Sequence, residues 1–191
     1  MFRLTIAGPD THVASSLCAH CPHSPAGCCV APPRFAWADI ARVVQHGGRD
    51  FLLDAIAKKQ LVKAPHGLTL TRVKGRVTEA YGSPRVAKCV FHDGKTGCTI
   101  AADRRPATCN YYVCSDVFED ATRDGLGTLV ASATGAHAEL VEKFVAWDER
   151  LDRYVRANYA DDVPYNAAFF DDLAAVFCNM TSDEKGGLQP M

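Results

Sequence analysis

The sequence predicts a small, mostly helical α+β protein in which an irregular cysteine-rich metal-binding core is covered by helices. Three observations lead to this fold class. The 191 residues are 48% hydrophobic and 23% charged, which is ordinary for a globular protein. The chain contains nine cysteines, more than an ordinary chain of this length carries, and eight of them fall into two groups of four. Its second half carries amphipathic helical patterns.

The length of the chain predicts a single domain, 1–191, because a typical domain has about 100–200 residues. Within it we expect a cysteine-cluster part at 17–114, a helical part at 115–180 and a frayed tail at 181–191. The net charge of -1 argues against nucleic acid or anionic lipid as a partner. The first residues lack the apolar run of a signal peptide, and no stretch reaches the length of a membrane-spanning helix. We therefore expect a cytoplasmic protein with neither a membrane nor a nucleic-acid partner.

The segment between the two cysteine groups predicts short, ordinary elements. A helix over 37–46 places its apolar side chains on one face, and two glycines end it. A second helix over 51–59 follows Asp50, which is expected at its N-cap. Alternating residues predict one strand at 68–73 and another at 87–91.

The second half of the chain predicts two amphipathic helices. In the first, of about 20 residues, apolar side chains recur at spacings of three and four, which is typical of core packing. These side chains are Leu140, Phe144, Trp147, Leu151 and Tyr154. The second helix covers 166–178, with its inward side chains at Phe169, Leu173 and Val176 or Phe177. This pattern places Cys178 among apolar neighbours, so we expect a buried and unreactive thiol.

The first cysteine group consists of Cys18, Cys21, Cys28 and Cys29. The C-x2-C spacing of its first pair lets a tight loop direct two thiolates at one metal ion. A thioredoxin-like redox pair has the same spacing, but it needs a helix directly after the pair, and Pro22 opposes one. Adjacent side chains usually point in different directions, so Cys28 and Cys29 are not expected to serve one tetrahedral ion together.

The second group begins with two cysteines that a hairpin would bring together. Cys89 and Cys98 flank an Asp93-Gly94 turn, and strands joined by such a turn place their ends side by side. A metal-binding knuckle uses this geometry.

The remaining members of the second group are Cys109 and Cys114. Pro106 is expected at a first helical position, where the free amides of the next residues and the charges of Arg104 and Arg105 would favour a thiolate at Cys109.

All eight clustered cysteines are therefore predicted metal ligands, and the identity of the metal stays open. They could form two zinc sites, one iron–sulfur cluster with additional thiols, or a cluster and a zinc site. His20, His23 and His92 lie inside the cysteine segments, but a loop histidine is more often exposed, and none is predicted as a ligand. The apolar content of the chain argues that its fold does not need structural zinc, which favours a functional centre.

The pattern Cys18-x2-Cys21-x6-Cys28-Cys29, followed by Cys89-x8-Cys98-Thr-Ile, Arg105-Pro106-x2-Cys109 and Cys114, resembles the YkgJ-type cysteine-cluster proteins. The resemblance extends from about residue 17 to residue 114, and its most specific parts are the Cys-Cys doublet, GCTI and RPATC. That family is described as zinc- or iron-chelating. The resemblance implies metal binding through these cysteines and, through the related flagellin lysine methylases, a link to iron–sulfur chemistry.

Two functions from different classes remain open at this point. One is a metalloprotein with an iron–sulfur or iron centre in a redox or sensory role. The other is a non-enzymatic zinc module that mediates contact with a protein partner. The sequence contains no H-E-x-x-H, G-x-S-x-G, Walker A or G-x-G-x-x-G motif, so it identifies no reaction and leaves enzymatic activity undecided.

Overall fold

A computed structural model describes residues 2–5, 8–18, 27–74, 87–93, 96–112, 114–160 and 162–185. Its α-helices are α1 (Trp37–Gln45), α2 (Arg49–Ala57), α3 (Ala107–Tyr111), α4 (Ser115–Arg123), α5 (Gly127–Tyr159) and α6 (Ala167–Lys185). Its strands are β1 (Phe2–Thr5), β2 (His12–Ser15), β3 (Leu61–Ala64), β4 (Gly67–Leu70), β5 (Arg72–Lys74), β6 (Ala87–Cys89), β7 (His92–Asp93) and β8 (Gly97–Cys98). The predicted mostly helical α+β class is confirmed.

The strands form four separate antiparallel pairs, β1 with β2, β3 with β4, β5 with β6, and β7 with β8. The predicted strand over 68–73 is divided at Thr71, whose amide donates to the Gln60 carbonyl at 2.9 Å. Before this residue Leu70 pairs with Leu61, and after it Arg72 pairs with Cys89. The chain therefore passes directly from a hairpin of the core to β5, the strand that pairs with the cysteine-bearing β6.

The buried core is built from apolar side chains of α1, α2, α5 and α6 and of the β3–β4 hairpin. Every residue of α1 from Trp37 to Val43 is buried, so this helix is enclosed on all sides. The Trp37 ring contacts Phe169 of α6 at 5.8 Å between centroids, and its indole nitrogen donates to Asp152 of α5 at 3.2 Å. The prediction of a cysteine-rich core is not confirmed, because Cys89 is the one cysteine among the buried core residues described.

The two long helices follow the predicted patterns and extend beyond them. α5 buries Leu140, Phe144, Trp147 and Leu151 as expected, but it continues toward the amino terminus as far as Gly127. The apolar stripe marks the part of a helix that packs on the core, whereas the earlier turns of α5 pack against α4. No helix in the described part of the chain is both long and apolar enough to cross a membrane.

Three local predictions are wrong. Cys178 is exposed, because Phe177 points into the core and the next residue of an α-helix lies about 100° further around the axis. The frayed tail does not begin at 181, since α6 continues to Lys185. Asp50 is not an N-cap but lies in the first turn of α2, whose N-cap is Gly48.

Gly67 provides a direct test of how the β3–β4 hairpin is joined to the core. Its φ of +122° is disfavoured for residues with a Cβ, and a Cβ at this position would collide with the Phe35 carbonyl oxygen. We expect Gly67→Ala to lower the free energy of unfolding by more than about 1 kcal/mol in urea titrations followed by circular dichroism. Gly135→Ala is the matched control, because its Cβ would meet nothing within 4 Å inside α5. This control should raise stability by about 0.5–1 kcal/mol, and equal effects of the two variants would contradict the fold.

Candidate metal centre

The first cysteines that the structure describes fully lie in a short 3-10 turn, Cys28–Val30. This turn packs against β6, and the guanidinium of Arg72 on β5 donates to the Val30 carbonyl at 2.7 Å. The β5–β6 hairpin therefore fixes the position of the Cys28-Cys29 doublet. Cys28 is exposed and Cys29 is half-buried against the core.

The prediction that one hairpin joins Cys89 and Cys98 is wrong, because the two cysteines lie in different strand pairs. Cys89 ends β6 and is buried, while Cys98 ends β8 and lies opposite His92 of β7. The Thr99 amide donates to the Phe91 carbonyl at 2.9 Å, which closes the strands beyond the ladder. The predicted turn is partly described: the Thr96 amide donates to the Asp93 carboxylate at 2.8 Å, and residues 94–95 lie outside the described residues.

Cys109 comes from α3, a helix of five residues. We had predicted that Pro106 is the first residue of this helix, but it is the N-cap. The amide of Ala107 donates to the Asp39 carboxylate of α1 at 2.7 Å, so a buried side chain of the core caps the helix that presents Cys109.

Electrostatic interactions link five of the predicted ligands to one another across three separate parts of the chain. Coulombic repulsion from Cys28, Cys89 and Cys98 raises the pKa of the Cys29 thiol. Repulsion from Cys98, Cys89 and Cys28 raises the pKa of the Cys109 thiol in the same way. Such interactions require proximity, because Coulomb energy falls with distance. We refer to Cys28, Cys29, Cys89, Cys98 and Cys109 as the thiol cluster.

The two cysteines of the doublet influence each other's ionisation. The Cys29 thiol donates a hydrogen bond to the Cys28 sulfur, and this bond is the main reason that the pKa of Cys28 is lowered to about 6. The same bond, together with burial, raises the pKa of Cys29. The two sulfurs are therefore within hydrogen-bonding reach of each other in the 3-10 turn, and the expectation that they do not serve one metal ion together stays a prediction.

The predicted electropositive setting of Cys109 is also wrong for the metal-free chain. Burial raises the pKa of the Cys109 thiol, and the neighbouring Cys98, Cys89 and Asp39 raise it further. The Arg105 guanidinium donates instead to the carbonyl of Ile100 at 2.6 Å, and α3 is too short to carry a strong dipole. Burial likewise raises the pKa of Cys89.

The remaining predicted ligands, Cys18, Cys21 and Cys114, do not belong to the thiol cluster as described. Cys21 lies outside the described residues, and Cys18 ends a 3-10 turn, Ser16–Cys18, without a described side chain. Cys114 is half-buried at the N-cap of α4 and is not among the thiols whose charges raise the pKa of Cys29 or Cys109. His92 is half-buried, and burial lowers the pKa of its imidazole, whereas His20 and His23 lie outside the described residues.

The described side chains do not by themselves form a finished metal site. Among them, no three groups from His, Cys, Asp and Glu stand in an arrangement that could hold a metal ion as they are. The seven cysteines with described side chains are free thiols rather than disulfides. The donor type nevertheless fits zinc or iron–sulfur centres, because both are bound by thiolates.

Sequence reasoning missed the buried polar residues that lie beneath the cluster. Asp39 and Arg42 are 5% and 1% exposed, and they lie one turn apart on α1. Arg42 donates to the backbone carbonyl of Arg105, close to the predicted ligands. The available signal was Asp39 at the third position of a helix, where a carboxylate reaches back to the N-cap amide.

Comparison of this chain with protein-family models, with curated proteins and with solved structures identifies no match. The cysteine geometry is therefore the basis on which its function is argued.

The doublet makes a prediction about thiol reactivity in the reduced, metal-free protein. We expect Cys28 to be alkylated by iodoacetamide with an apparent pKa of about 6, because the Cys29 thiol stabilises its thiolate. Cys29→Ala removes this donor, so it should raise the pKa of Cys28 toward the ordinary thiol value and slow its alkylation below neutral pH. Mass spectrometry of the alkylated peptides measures both rates, with exposed Cys178 as the internal reference. The same Cys28 profile in both proteins would refute the hydrogen bond.

Proposed function

We propose that this chain is a metal-binding protein whose clustered cysteine thiolates hold an iron–sulfur or iron centre with a redox or sensory role. The single observation that carries the proposal is the thiol cluster. Its five members come from the 3-10 turn at Cys28–Val30, from the β6–β8 segment and from α3. Four of the five are buried or half-buried and Cys28 is exposed, and free thiols that influence one another's ionisation are donors of the type that soft metal ions select.

Metal binding would relieve an electrostatic conflict within the cluster. Several thiolates repel one another when they ionise at close range, and burial adds to the cost. A bound cation supplies the opposite charge, so binding and deprotonation occur together. The ion would also draw the thiols into a ligating arrangement that the described side chains do not have on their own. Cys18 and Cys21 complete the proposed ligand set with Cys114.

Two features favour a functional centre over structural zinc. The contacts among α1, α5 and α6 are made by apolar and aromatic side chains, and Cys89 is the one cysteine among the buried core residues described. Cys28 is exposed, so one side of the centre would lie near the surface, where electrons or a signal can reach it. The resemblance to YkgJ-type proteins and a reducing cytoplasmic location belong to the same proposal, since free thiols persist in a reducing compartment.

The second candidate is a non-enzymatic zinc module that mediates contact with a protein partner. One observation favours it: His92 lies directly opposite Cys98 across the β7–β8 pair, and an imidazole beside thiolates is a common zinc ligand set. In this alternative, the metal would fasten the cysteine-bearing segments rather than carry electrons.

Metal content tests the proposal and separates the two candidates. We expect protein purified without oxygen to contain near-stoichiometric iron with acid-labile sulfide, measured per chain. Zinc without sulfide would instead support the zinc module. Cys109→Ser should lose most of the bound metal, because Cys109 belongs to the thiol cluster. Cys178→Ser is the matched control, since Cys178 is exposed on α6 and lies outside the cluster. Unchanged metal in Cys109→Ser would overturn the site.

Removal of the metal provides a further prediction. We expect a chelator to leave the helical circular dichroism signal largely intact, because α1, α5 and α6 pack on one another through apolar and aromatic side chains. Amide hydrogen exchange should rise selectively in 87–111, which carries three members of the cluster. A global loss of helical signal on chelation would contradict this prediction and would indicate a structural zinc site.

A further inference from the structure

The buried carboxylate of Asp39 joins two helix starts. Its Oδ2 accepts from the Ala36 amide at 3.1 Å, and its Oδ1 accepts from the Ala107 amide at 2.7 Å. The first contact closes the N-terminus of α1, and the second fixes the N-terminus of α3. Burial raises the pKa of Asp39 to about 6, against the lowering effect of these amides and of Arg42. A buried charged group is retained at a cost, so its contacts require an explanation.

One turn further along α1, Arg42 holds the same region of the chain. Its guanidinium is 1% exposed and donates to the Asp10 carboxylate at 2.8 Å and to the carbonyl of Arg105. Arg105 in turn donates to the Ile100 carbonyl at 2.6 Å and to the Cys98 carbonyl at 3.5 Å. The segment from Cys98 to Ala107 is therefore attached to α1 at its 105–107 end, and Arg105 links that end back to Cys98.

α1 is the more firmly held of the two helices that Asp39 connects, α1 and α3. α1 is enclosed by the core and makes other hydrogen bonds to the long helices. The backbone amide of Ala38 donates to Asp148 at 3.2 Å, and the side-chain amide of Gln45 donates to the Ala174 carbonyl at 3.2 Å. α3 has only five residues, and a helix of this length does not hold its own conformation. The contact with Asp39 therefore fixes the first amide of α3, while Tyr111 at the other end of the helix packs against Phe144.

We propose that Asp39 is a positioning residue that places Cys109 in the thiol cluster by holding the first amide of α3, while Arg42 and Arg105 place Cys98 in the same way. This inference rests on the proposed function, because the cluster is the proposed metal site. In sequence, Cys98 lies before the attached residues 105–107 and Cys109 lies after them, so both cysteines depend on this attachment to α1. Contacts that hold the ligands of a metal site commonly change metal affinity by about 10–100-fold when they are removed.

The test is an anaerobic titration of the reduced, metal-free full chain with Co²⁺, followed by thiolate-to-cobalt charge-transfer absorption. Asp39→Asn should weaken Co²⁺ binding by about ten-fold or more and reduce the intensity of the band, because the thiolate of Cys109 is misplaced. Asp148→Asn is the matched control: Asp148 also accepts an amide at the start of α1, and its described hydrogen bond and ion pair are with Ala38 and Arg34 rather than with 98–107. Its Co²⁺ affinity should equal that of the wild-type chain.

A double-mutant cycle separates positioning from a general loss of stability. In a Cys109→Ser background, Asp39→Asn should cause no further loss of Co²⁺ affinity, because its effect acts through Cys109. Full additivity of the two effects would overturn the positioning role. If Asp39→Asn does not fold, Arg105→Met tests the placement of Cys98 instead. The loss of Co²⁺ affinity caused by Arg105→Met should vanish in a Cys98→Ser background but persist in a Cys109→Ser background.

The outcomes distinguish this inference from the proposed function. If the wild-type chain binds no Co²⁺, the proposed thiolate site is overturned and the positioning role with it. If the wild-type and Asp39→Asn chains bind Co²⁺ equally well, the site stands and only the positioning role is overturned.

Discussion

The burial of two charged side chains in α1 is the constraint on which the rest of the structure depends. Asp39 and Arg42 are enclosed in a helix that the core covers on all sides. A buried charge is tolerated only when it is paired or hydrogen-bonded, so each side chain must have partners from elsewhere in the chain. Those partners are the Ala107 amide, the Arg105 carbonyl and the carboxylate of Asp10. The core helix thereby determines where the irregular segments of the molecule lie.

This arrangement assigns different tasks to the two parts of the protein. The apolar packing of α1, α5 and α6 supplies the stability of the fold, with aromatic contacts such as Trp147 against Phe177 at 5.4 Å. The cysteines lie in short strands, a 3-10 turn and a five-residue helix, elements that have little stability of their own. Their positions follow from hydrogen bonds, such as those of Asp39 and Arg72, and from the packing of Cys89, Cys29 and Cys98 in or against the core. In the proposed function, a metal would therefore bind to ligands that are held in place largely by contacts it does not supply.

Ionisation of the thiol cluster is unfavourable in the absence of a nearby positive charge. Burial and mutual repulsion raise the pKa values of Cys29, Cys89 and Cys109, with the hydrogen bond to Cys28 contributing most at Cys29. Cys28 is the exception, because its neighbour donates a hydrogen bond to its sulfur. A cation would remove the repulsion that the protein alone does not offset. The exposed position of Cys28 gives the proposed centre a connection to the surface.

Local patterns in the sequence were sufficient for the fold class, for α1 and for the inward faces of α5 and α6, because the period of apolar residues directly reflects which face is buried. The cysteine spacing also indicated a hairpin in this segment, but that hairpin pairs Cys98 with His92, and Cys89 pairs with Arg72 instead. The spacing did not predict the hydrogen bond between Cys28 and Cys29, since it depends on a 3-10 turn packed against β6. It did not predict the exposure of Cys178, which depends on which side of α6 meets the core. The roles of Asp39 and Arg42 were decided only by the tertiary structure, because their partners are distant in sequence and hydrogen bonding between distant residues leaves no periodic signal.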